Sequence, residues 1–176
     1  MTEPATKTLT QPIVLTGFMG VGKSTVARHL AFLLRTTRID LDRFIEEEQG
    51  RSIGNIIEYD GEPFFRVMET AALKTVLETD GDKIISLGGG TWTADENRRM
   101  IREKKCLVLW LNAPFEHCWR NISLSRNKRP LLESKENARR LYQDRIKLYC
   151  LADWHFVIQP DQNSLDVARQ IVEEIF

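Results

Sequence analysis

Gly17-Phe18-Met19-Gly20-Val21-Gly22-Lys23-Ser24-Thr25 is the stretch that decides the fold of this chain. Gly17 and Gly22 flank four residues and are followed by Lys and Ser, which is the pattern of a loop that cradles phosphate groups. An apolar strand is predicted at 12–16, and apolar residues recur at helical spacing after the loop as far as Leu34. A helix that begins at such a loop directs backbone N–H groups and the positive end of its dipole at an anion. A glycine turn that binds nothing is the alternative, but the register of strand, glycines, lysine and helix favours a nucleoside triphosphate site.

The loop also offers side chains for the phosphates and for a metal. Lys23 is placed to reach the outer phosphates, and the Ser24 hydroxyl is placed to hold a magnesium ion. Mg²⁺ is therefore the expected cofactor, with a nucleoside triphosphate as co-substrate. The predicted nucleotide-binding residues of the loop are Gly20, Val21, Gly22, Lys23, Ser24 and Thr25.

Composition and charge limit the partners. With 42% hydrophobic and 28% charged residues, the chain of 176 residues has the make-up of one folded domain with its own core. Lys plus Arg and Asp plus Glu both number 25, and this balance argues against nucleic acid as the main partner. No apolar segment approaches the ~20 residues that span a bilayer, so no membrane partner is expected.

The N-terminal segment and the cysteines predict the setting of this domain. Residues 1–11 are polar, lack the apolar run of a signal peptide and are predicted to form a flexible tail before a single domain at 12–176. The three cysteines, Cys106, Cys118 and Cys150, are not clustered like metal ligands and are predicted to be buried free thiols. A reducing cytoplasm is the expected location.

Short apolar segments alternate with helical ones along the rest of the chain. This alternation predicts an α/β fold in which a parallel sheet carries helices on both faces. Two longer segments interrupt it, a helical region at about 42–79 and a polar, basic connector at about 123–134. Residues that follow different strands of such a sheet meet along the edge formed by the carboxyl ends of the strands.

Two aspartates follow the second predicted strand. Asp40 and Asp42 lie two apart, and in extended geometry their side chains would point the same way. One carboxylate could orient a magnesium-bound water, and the other could accept a hydrogen bond from a substrate hydroxyl. The alternative is a helix N-cap followed by an acid in the first helical turn. The nearby nucleotide loop favours the functional interpretation.

Three glycines, Gly88, Gly89 and Gly90, follow the third predicted strand. Glycines let a ligand approach the backbone closely and leave N–H donors accessible, so the run is predicted to bind substrate. A flexible turn is the alternative.

Arginines supply the remaining candidates. Arg66 and Arg145 lie in predicted amphipathic helices, where a guanidinium could grip a carboxylate or phosphate with paired hydrogen bonds. A solvated helical charge is the alternative for each. Arg129 lies in the basic connector, which is predicted to be a mobile lid that neutralises charge during phosphoryl transfer. An ordinary exposed loop is the alternative there.

Taken together, these motifs resemble the shikimate kinase family over nearly the whole chain, from about Ile13 to Phe176. The matching segments are Gly17 to Thr25, Asp40-Leu41-Asp42, Gly61-Glu62-Pro63-Phe64-Phe65-Arg66 with Glu69, Gly88-Gly89-Gly90, Arg129-Pro130-Leu131-Leu132, and Arg145 with Tyr149 and Ala152. The resemblance implies transfer of the γ-phosphoryl group of ATP to the 3-hydroxyl of shikimate. It also implies a small P-loop kinase fold with a five-stranded parallel sheet, a helical substrate-binding region and a lid.

The same resemblance divides the residues between the two ligands. Lys23 serves ATP, while Ser24 and Asp40 hold magnesium, the latter through water. Shikimate is held by Asp42, Arg66, the backbone at Gly89, and Arg145. Asp42 is the candidate base, and Arg129 closes onto the phosphates from the lid.

Some features depart from the family pattern, and other functions compete. Leu41 stands where a small hydroxylated residue is common, and either Arg120 or Arg126 could take the place of a further arginine before the lid. Adenine contacts are expected near Arg120 and in the turn at 159–163. The competing functions are a gluconate-type kinase and a nucleotide-binding module without catalysis. A monomer is the expected state.

Overall fold

The computed structural model describes residues 9–125 and 134–176, and a parallel sheet lies at its centre. The strands in these ranges are β1 (Ile13–Thr16), β2 (Thr37–Asp40), β3 (Lys83–Ser86), β4 (Leu107–Asn112) and β5 (Trp154–Val157). All pairings are parallel and the spatial order is β2-β3-β1-β4-β5. The predicted α/β class with a five-stranded parallel sheet is therefore confirmed.

The inner strands are apolar because both of their faces are covered. Every residue of β1 is buried, and Ile13 pairs in register with Ile84 of β3 on one side and Leu107 of β4 on the other. Strands without an alternating polar face are typical of parallel sheets between two helical layers. The edge strand β5 instead exposes three of its four residues.

Eight helices are present in the described ranges, together with one short 3-10 turn at Thr91–Thr93. The helices are α1 (Lys23–Leu33), α2 (Leu41–Gln49), α3 (Ile53–Asp60), α4 (Glu62–Glu78), α5 (Asp95–Glu103), α6 (Phe115–Leu124), α7 (Lys135–Tyr149) and α8 (Ser164–Ile175). The sequence predicts a break at Gly61-Glu62-Pro63, but α4 already begins at Glu62. Proline is tolerated there because the first helical turn needs no donor from its N–H.

The helices pack in layers that follow from right-handed crossovers. α1 returns the chain from β1 to β2 and packs against α8, whereas α4 packs against α5 and α6 against α7. The chain leaves β1 toward one edge of the sheet and leaves β3 toward the other. With right-handed connections, this reversal places the two sets of helices on opposite faces and opens a crevice at the carboxyl ends of β1 and β3.

The burial of Leu9 and of Cys150 differs from the sequence-based prediction. Leu9, which falls in the predicted tail, is buried in the core. Cys106 and Cys118 are buried as predicted, but the prediction is wrong for Cys150, whose residue at the end of α7 is exposed. Within residues 9–125 and 134–176, no helix is long and apolar enough to cross a membrane.

Candidate active site

The phosphate loop joins β1 to α1 at the carboxyl edge of the sheet. Gly17, Gly20 and Gly22 have φ of 140°, 80° and 98°. A Cβ at Gly17 would come within 2.6 Å of Leu111 O, and one at Gly20 within 2.5 Å of Cys118 O. These two glycines therefore allow the loop to pack against the backbone of β4 and α6. A Cβ at Gly22 would meet nothing within 4 Å, so this N-cap of α1 borders open space that a ligand could enter.

Lys23 lies folded back across the loop. Its Nζ donates to Gly17 O at 2.8 Å and to Phe18 O at 3.1 Å, and its side chain is buried. The loop is also fixed from α6, where Asn121 Nδ2 donates to Gly20 O at 2.8 Å. Ser24, in the first turn of α1, is exposed. Hydrogen bonds to the carbonyl oxygens of Gly17, Phe18 and Gly20 thus fix the shape of the loop. The start of α1 remains accessible, since Ser24 is exposed.

Asp40 ends β2 and caps α2. Its Oδ1 accepts from the Arg43 N–H at 3.2 Å, and its Oδ2 accepts from Ser86 Oγ at 3.1 Å. The extended geometry predicted for Asp40 and Asp42 is wrong, because α2 begins at Leu41 and Asp42 lies in its first turn. The capping interpretation therefore holds for Asp40. Its bond to Ser86 also ties this carboxylate to β3, the strand next to the phosphate-loop strand.

The three glycines after β3 lie where the other candidates converge. A Cβ at Gly88 would come within 2.6 Å of Asp42 Oδ1. One at Gly89 would lie 3.3 Å from both Arg145 Nη1 and the backbone N of Met19, which belongs to the phosphate loop. The run is therefore the contact point of α2, α7 and the phosphate loop.

Gly90 extends this contact to α4. A Cβ at Gly90 would come within 2.6 Å of Arg66 Nη1. The structure thus brings together Asp42, Arg66 and Arg145, which are widely separated in sequence, around one glycine run beside the phosphate loop.

Arg66 is held by carboxylates of its own helix. Its Nη2 lies 2.9 Å from Glu62 Oε1 and its Nη1 lies 2.8 Å from Glu69 Oε2. Glu69 is buried and accepts a second bond from Thr91 Oγ1 at 2.6 Å, which fixes it against the 3-10 turn. Burial disfavours the charge of Arg66, but Glu69 and Glu62 together keep the pKa of this guanidinium above its ordinary value.

Arg145 is in the opposite electrostatic situation. It is 7% exposed, and its Nη1 has no hydrogen-bond partner among the described residues. Burial lowers the pKa of Arg145, and the positive charge of Arg66 lowers it further. The alternative of a solvated helical charge is wrong for this residue. A buried guanidinium with an unpaired nitrogen beside a second arginine is a receptor for an anionic group such as a carboxylate.

A cavity of about 240 Å³ opens beside the start of α1. Its lining includes Gly22 and Thr25 from the loop region, His117 and Asn121 from α6, and residues Gln162 to Ser164 before and at the start of α8. Gln162 and Asn163 belong to the turn at 159–163, in which the sequence predicts adenine contacts, and both line this cavity. The adenine contacts themselves remain a prediction. His117 and Asn121 were not predicted, because only the packing of α6 behind the loop brings them there.

Two predicted features lie outside this geometry. Arg129 and Arg126 fall within 126–133, outside the described residues, as does most of the predicted lid. Arg120 is exposed on α6 and does not line the cavity. Burial, followed by the charge of Arg120, lowers the pKa of His117, so both residues bear on the electrostatics of this end of the site.

Comparison with known proteins points in one direction. The family model for shikimate kinase matches residues 19–176. A shikimate kinase of Streptococcus suis is 39% identical over 166 residues, covering 92% of this chain and 98% of the relative. A bifunctional shikimate kinase/3-dehydroquinate synthase of Thermotoga maritima is 38% identical over 138 residues, and the match covers 78% of this chain but 27% of that longer protein.

Solved structures agree with the sequence matches. A shikimate kinase from Acinetobacter baumannii in complex with shikimate has a TM-score of 0.85 and 34% identity, covering 94% of this chain and 93% of the other. A gluconokinase from Sinorhizobium meliloti has a TM-score of 0.63 with 12% identity, covering 95% of this chain and 92% of the other. The second likeness shows a shared fold alone.

Proposed function

The chain belongs to the shikimate kinase family, and from that premise we infer that it transfers the γ-phosphoryl group of ATP to the 3-hydroxyl of shikimate. The products are shikimate 3-phosphate and ADP, and the reaction serves aromatic amino-acid biosynthesis. The protein is thus an ATP-dependent phosphotransferase with an alcohol as acceptor.

The arrangement of Arg66 and Arg145 supports shikimate as the acceptor. Arg66 and Arg145 face the same glycine run, and the Nη1 of Arg145 has no hydrogen-bond partner among the described residues. A carboxylate bound between the two guanidiniums would supply the missing acceptor and offset the repulsion between them. Asp42 lies at the other end of the run and would accept from a hydroxyl of the same molecule. Shikimate carries a carboxylate and hydroxyls on one ring, which is the chemistry this spacing requires.

The donor is proposed to bind at the phosphate loop. Backbone N–H groups from Gly20 to Thr25 would cradle the phosphates, with Lys23 moving from the loop carbonyls to the outer phosphates. The nucleobase would occupy the cavity beside His117 and Asn121. The acceptor at Gly89 and the donor at the loop then meet, since Gly89 lies against the Met19 backbone.

The residues at this edge fit a magnesium ion that arrives with ATP. The Ser24 hydroxyl and the Asp40 carboxylate are hard oxygen donors, and the bonds of Asp40 to Arg43 and Ser86 fix its orientation. Within the described residues, no group of three or more His, Cys, Asp or Glu side chains could hold a metal alone. Mg²⁺ is commonly held by one or two protein oxygens together with phosphates and water. When bound, the ion would neutralise charge on the transferring phosphoryl group.

Asp42 and Arg129 are proposed to act on the reacting groups. Asp42 would orient the 3-hydroxyl and accept its proton, although a loose transition state makes positioning the larger contribution. Arg129 and the lid at 123–134 would close over the phosphates. This role remains a prediction, as do the single kinase domain at 12–176 with its acceptor region at 42–79, a cytoplasmic location and a monomeric state.

The runner-up is a gluconate-type kinase. Gluconate also carries a carboxylate, and the fold is shared with a gluconokinase. That likeness is at 12% identity, whereas the shikimate kinases of Acinetobacter baumannii and Streptococcus suis match at 34% and 39%. A nucleotide-binding module without catalysis is disfavoured because Lys23, Ser24, Asp40 and Asp42 are all present.

A coupled assay of ADP release tests the proposal. Purified protein with MgATP should release ADP with shikimate, and not with gluconate, a nucleoside monophosphate or no acceptor. ³¹P NMR should identify the product as a phosphate monoester of shikimate, and EDTA should stop the reaction. No shikimate-dependent ADP release would overturn the assignment, and release with gluconate alone would establish the runner-up.

A further inference from the structure

Tyr149, the last residue of α7, has a role beyond core packing. It is fully buried, and its hydroxyl donates to Gly89 O at 2.5 Å. Its ring lies near that of Trp110, with 6.1 Å between the centroids. The tyrosine thus connects the end of a helix to the middle of the glycine run that borders the acceptor site.

The run Gly88-Gly89-Gly90 needs hydrogen bonds to other residues because its backbone is conformationally unrestricted. Successive glycines have the widest choice of conformation, so the orientation of each peptide must be fixed by hydrogen bonds. Thr91 N–H donates to Gly88 O at 3.3 Å, and Thr93 donates to Gly90 O through its N–H at 3.0 Å and its hydroxyl at 2.6 Å. These donors follow the run directly in sequence. Gly89 O instead accepts from Tyr149, which lies in a helix distant in sequence.

Fixing this carbonyl also fixes an N–H group. In a planar trans peptide, the Gly90 N–H points opposite to the Gly89 C=O. Because Tyr149 draws the carbonyl toward α7, the Gly90 N–H lies on the far edge of the same peptide plane. Among the described residues, no acceptor is recorded for this N–H or for that of Gly89. Gly90 is buried and Gly89 is half-buried, so Gly89 is the member of this pair whose backbone a ligand can reach.

The end of α7 is itself well anchored. Trp92 Nε1 donates to Leu148 O at 3.0 Å, which joins the 3-10 turn to the residue before Tyr149. Arg145 lies one helical turn earlier, near the phenol hydroxyl. Burial raises the pKa of Tyr149, an effect that the nearby Arg145 charge only partly offsets, so the hydroxyl keeps its proton through the working pH range. The donor is rigid and permanent.

We propose that Tyr149 is a positioning residue for the acceptor, in that its hydroxyl locks the Gly89–Gly90 peptide and thereby holds the half-buried Gly89 backbone in the orientation that bound shikimate meets. This role deepens the proposed function and rests on it. The tyrosine does not touch the substrate. It reduces the entropy that the glycine run would otherwise lose when shikimate binds.

Tyr149→Phe tests the proposal because it removes one oxygen and keeps the buried ring. We expect the KM and the Kd for shikimate to rise roughly tenfold, with kcat changed less than about twofold and the KM for ATP unchanged. Tyr142→Phe is the matched control. Tyr142 lies on the same helix and donates to the backbone oxygen of Ala113 at 2.9 Å, so this variant also loses one hydroxyl bond to a carbonyl. It should lose comparable thermal stability without a change in the shikimate constants.

Two outcomes would overturn the proposal. If calorimetry gives wild type and Tyr149→Phe the same Kd for shikimate, the hydroxyl is only structural. If Tyr142→Phe weakens shikimate binding equally, the loss is a general effect of destabilising α7. Either result leaves wild-type activity intact and is distinct from failure of the proposed function, in which the wild type itself would release no ADP with shikimate.

Discussion

Gly90 lies directly against the guanidinium of Arg66, so that a Cβ at Gly90 would come within 2.6 Å of Nη1 and 2.7 Å of Nη2. The φ of Gly90 is −103°, which any residue can adopt. The glycine is therefore needed here for space. At Gly22 the reverse holds, because its φ of 98° disfavours other residues while nothing lies within 4 Å of an added Cβ.

Gly90→Ala should impair the acceptor site more than the fold. The new methyl group must displace the Arg66 guanidinium from Glu69, and a long side chain can move at low cost to stability. We expect the KM for shikimate to rise about tenfold or more, with the KM for ATP unchanged. Gly50→Ala supplies the control, since Gly50 has φ 63° and open space around it. That variant should lose about 1 kcal/mol of stability and keep its kinetics. Unchanged shikimate kinetics in Gly90→Ala would show that Arg66 does not bind the acceptor.

Arg145 should stabilise the complex and not the free protein. Its guanidinium is buried with an unpaired nitrogen, so Arg145→Met should leave the Tm of the free protein equal or higher while the Kd for shikimate rises about a hundredfold. Shikimate should raise the Tm of the wild type but barely that of the variant, and ATP binding should be nearly unaffected.

Arg140→Met is the matched control for this experiment, because Arg140 is exposed on the same helix and bonds to Asn137 within it. It should bind shikimate like the wild type. Equal losses of shikimate and ATP affinity in Arg145→Met would mean that Arg145 is a structural residue.

The sequence predicted the sheet and the meeting of its strand ends, because both depend on local patterns. Apolar segments such as those of β1 and β4 need two covered faces, and their alternation with helical segments implies a parallel sheet. The apolar residues at 156–158 predict a last strand there, but β5 begins two residues earlier, because the exposed Trp154 and His155 of this edge strand give no apolar pattern. The sequence predicts a break at Pro63 because proline disrupts a helix interior, whereas α4 accommodates it in the first turn.

The sequence was less informative about the surroundings of the individual site residues. Whether Arg145 is solvated or buried depends on α7 packing against the 3-10 turn, a contact between segments far apart in sequence. The same holds for Thr91, whose hydroxyl secures Glu69 and through it Arg66. A threonine after three glycines carries no signal of this role. Helix capping by Asp40 is the alternative that the structure bears out, and the proposed role of this carboxylate in holding magnesium remains a prediction.

Lys23→Met should slow phosphoryl transfer without weakening the binding of shikimate. Removal of the ammonium group takes away charge stabilisation of the transferring phosphoryl group, so kcat should fall about a thousandfold. The Kd for shikimate measured without ATP should stay within about twofold, because the Lys23 Nζ donates to Gly17 O and Phe18 O of the phosphate loop, whereas Arg66 and Arg145 are proposed to hold the shikimate carboxylate. Lys74→Met, on the exposed face of α4, should retain full activity. A variant at Lys23 that keeps most of its kcat would contradict the phosphate role of this lysine.

Burial of Cys118 should make the protein less stable as the pH rises into the alkaline range. This thiol is packed in α6 behind the phosphate loop, and burial raises its pKa from 9.0 to about 11. Between these values the unfolded chain has lost the proton while the folded protein retains it, so the free energy of unfolding should fall as pH rises from about 9 to about 11. Cys118→Ala should make this decline shallower by about 1 kcal/mol per pH unit near pH 10. Urea titrations at pH 8, 9, 10 and 10.5 measure the slope for both proteins, and parallel curves would show that the thiol ionises equally in the folded and unfolded states. Cys106→Ala should act in the same direction, because burial raises the pKa of that thiol to about 11 as well.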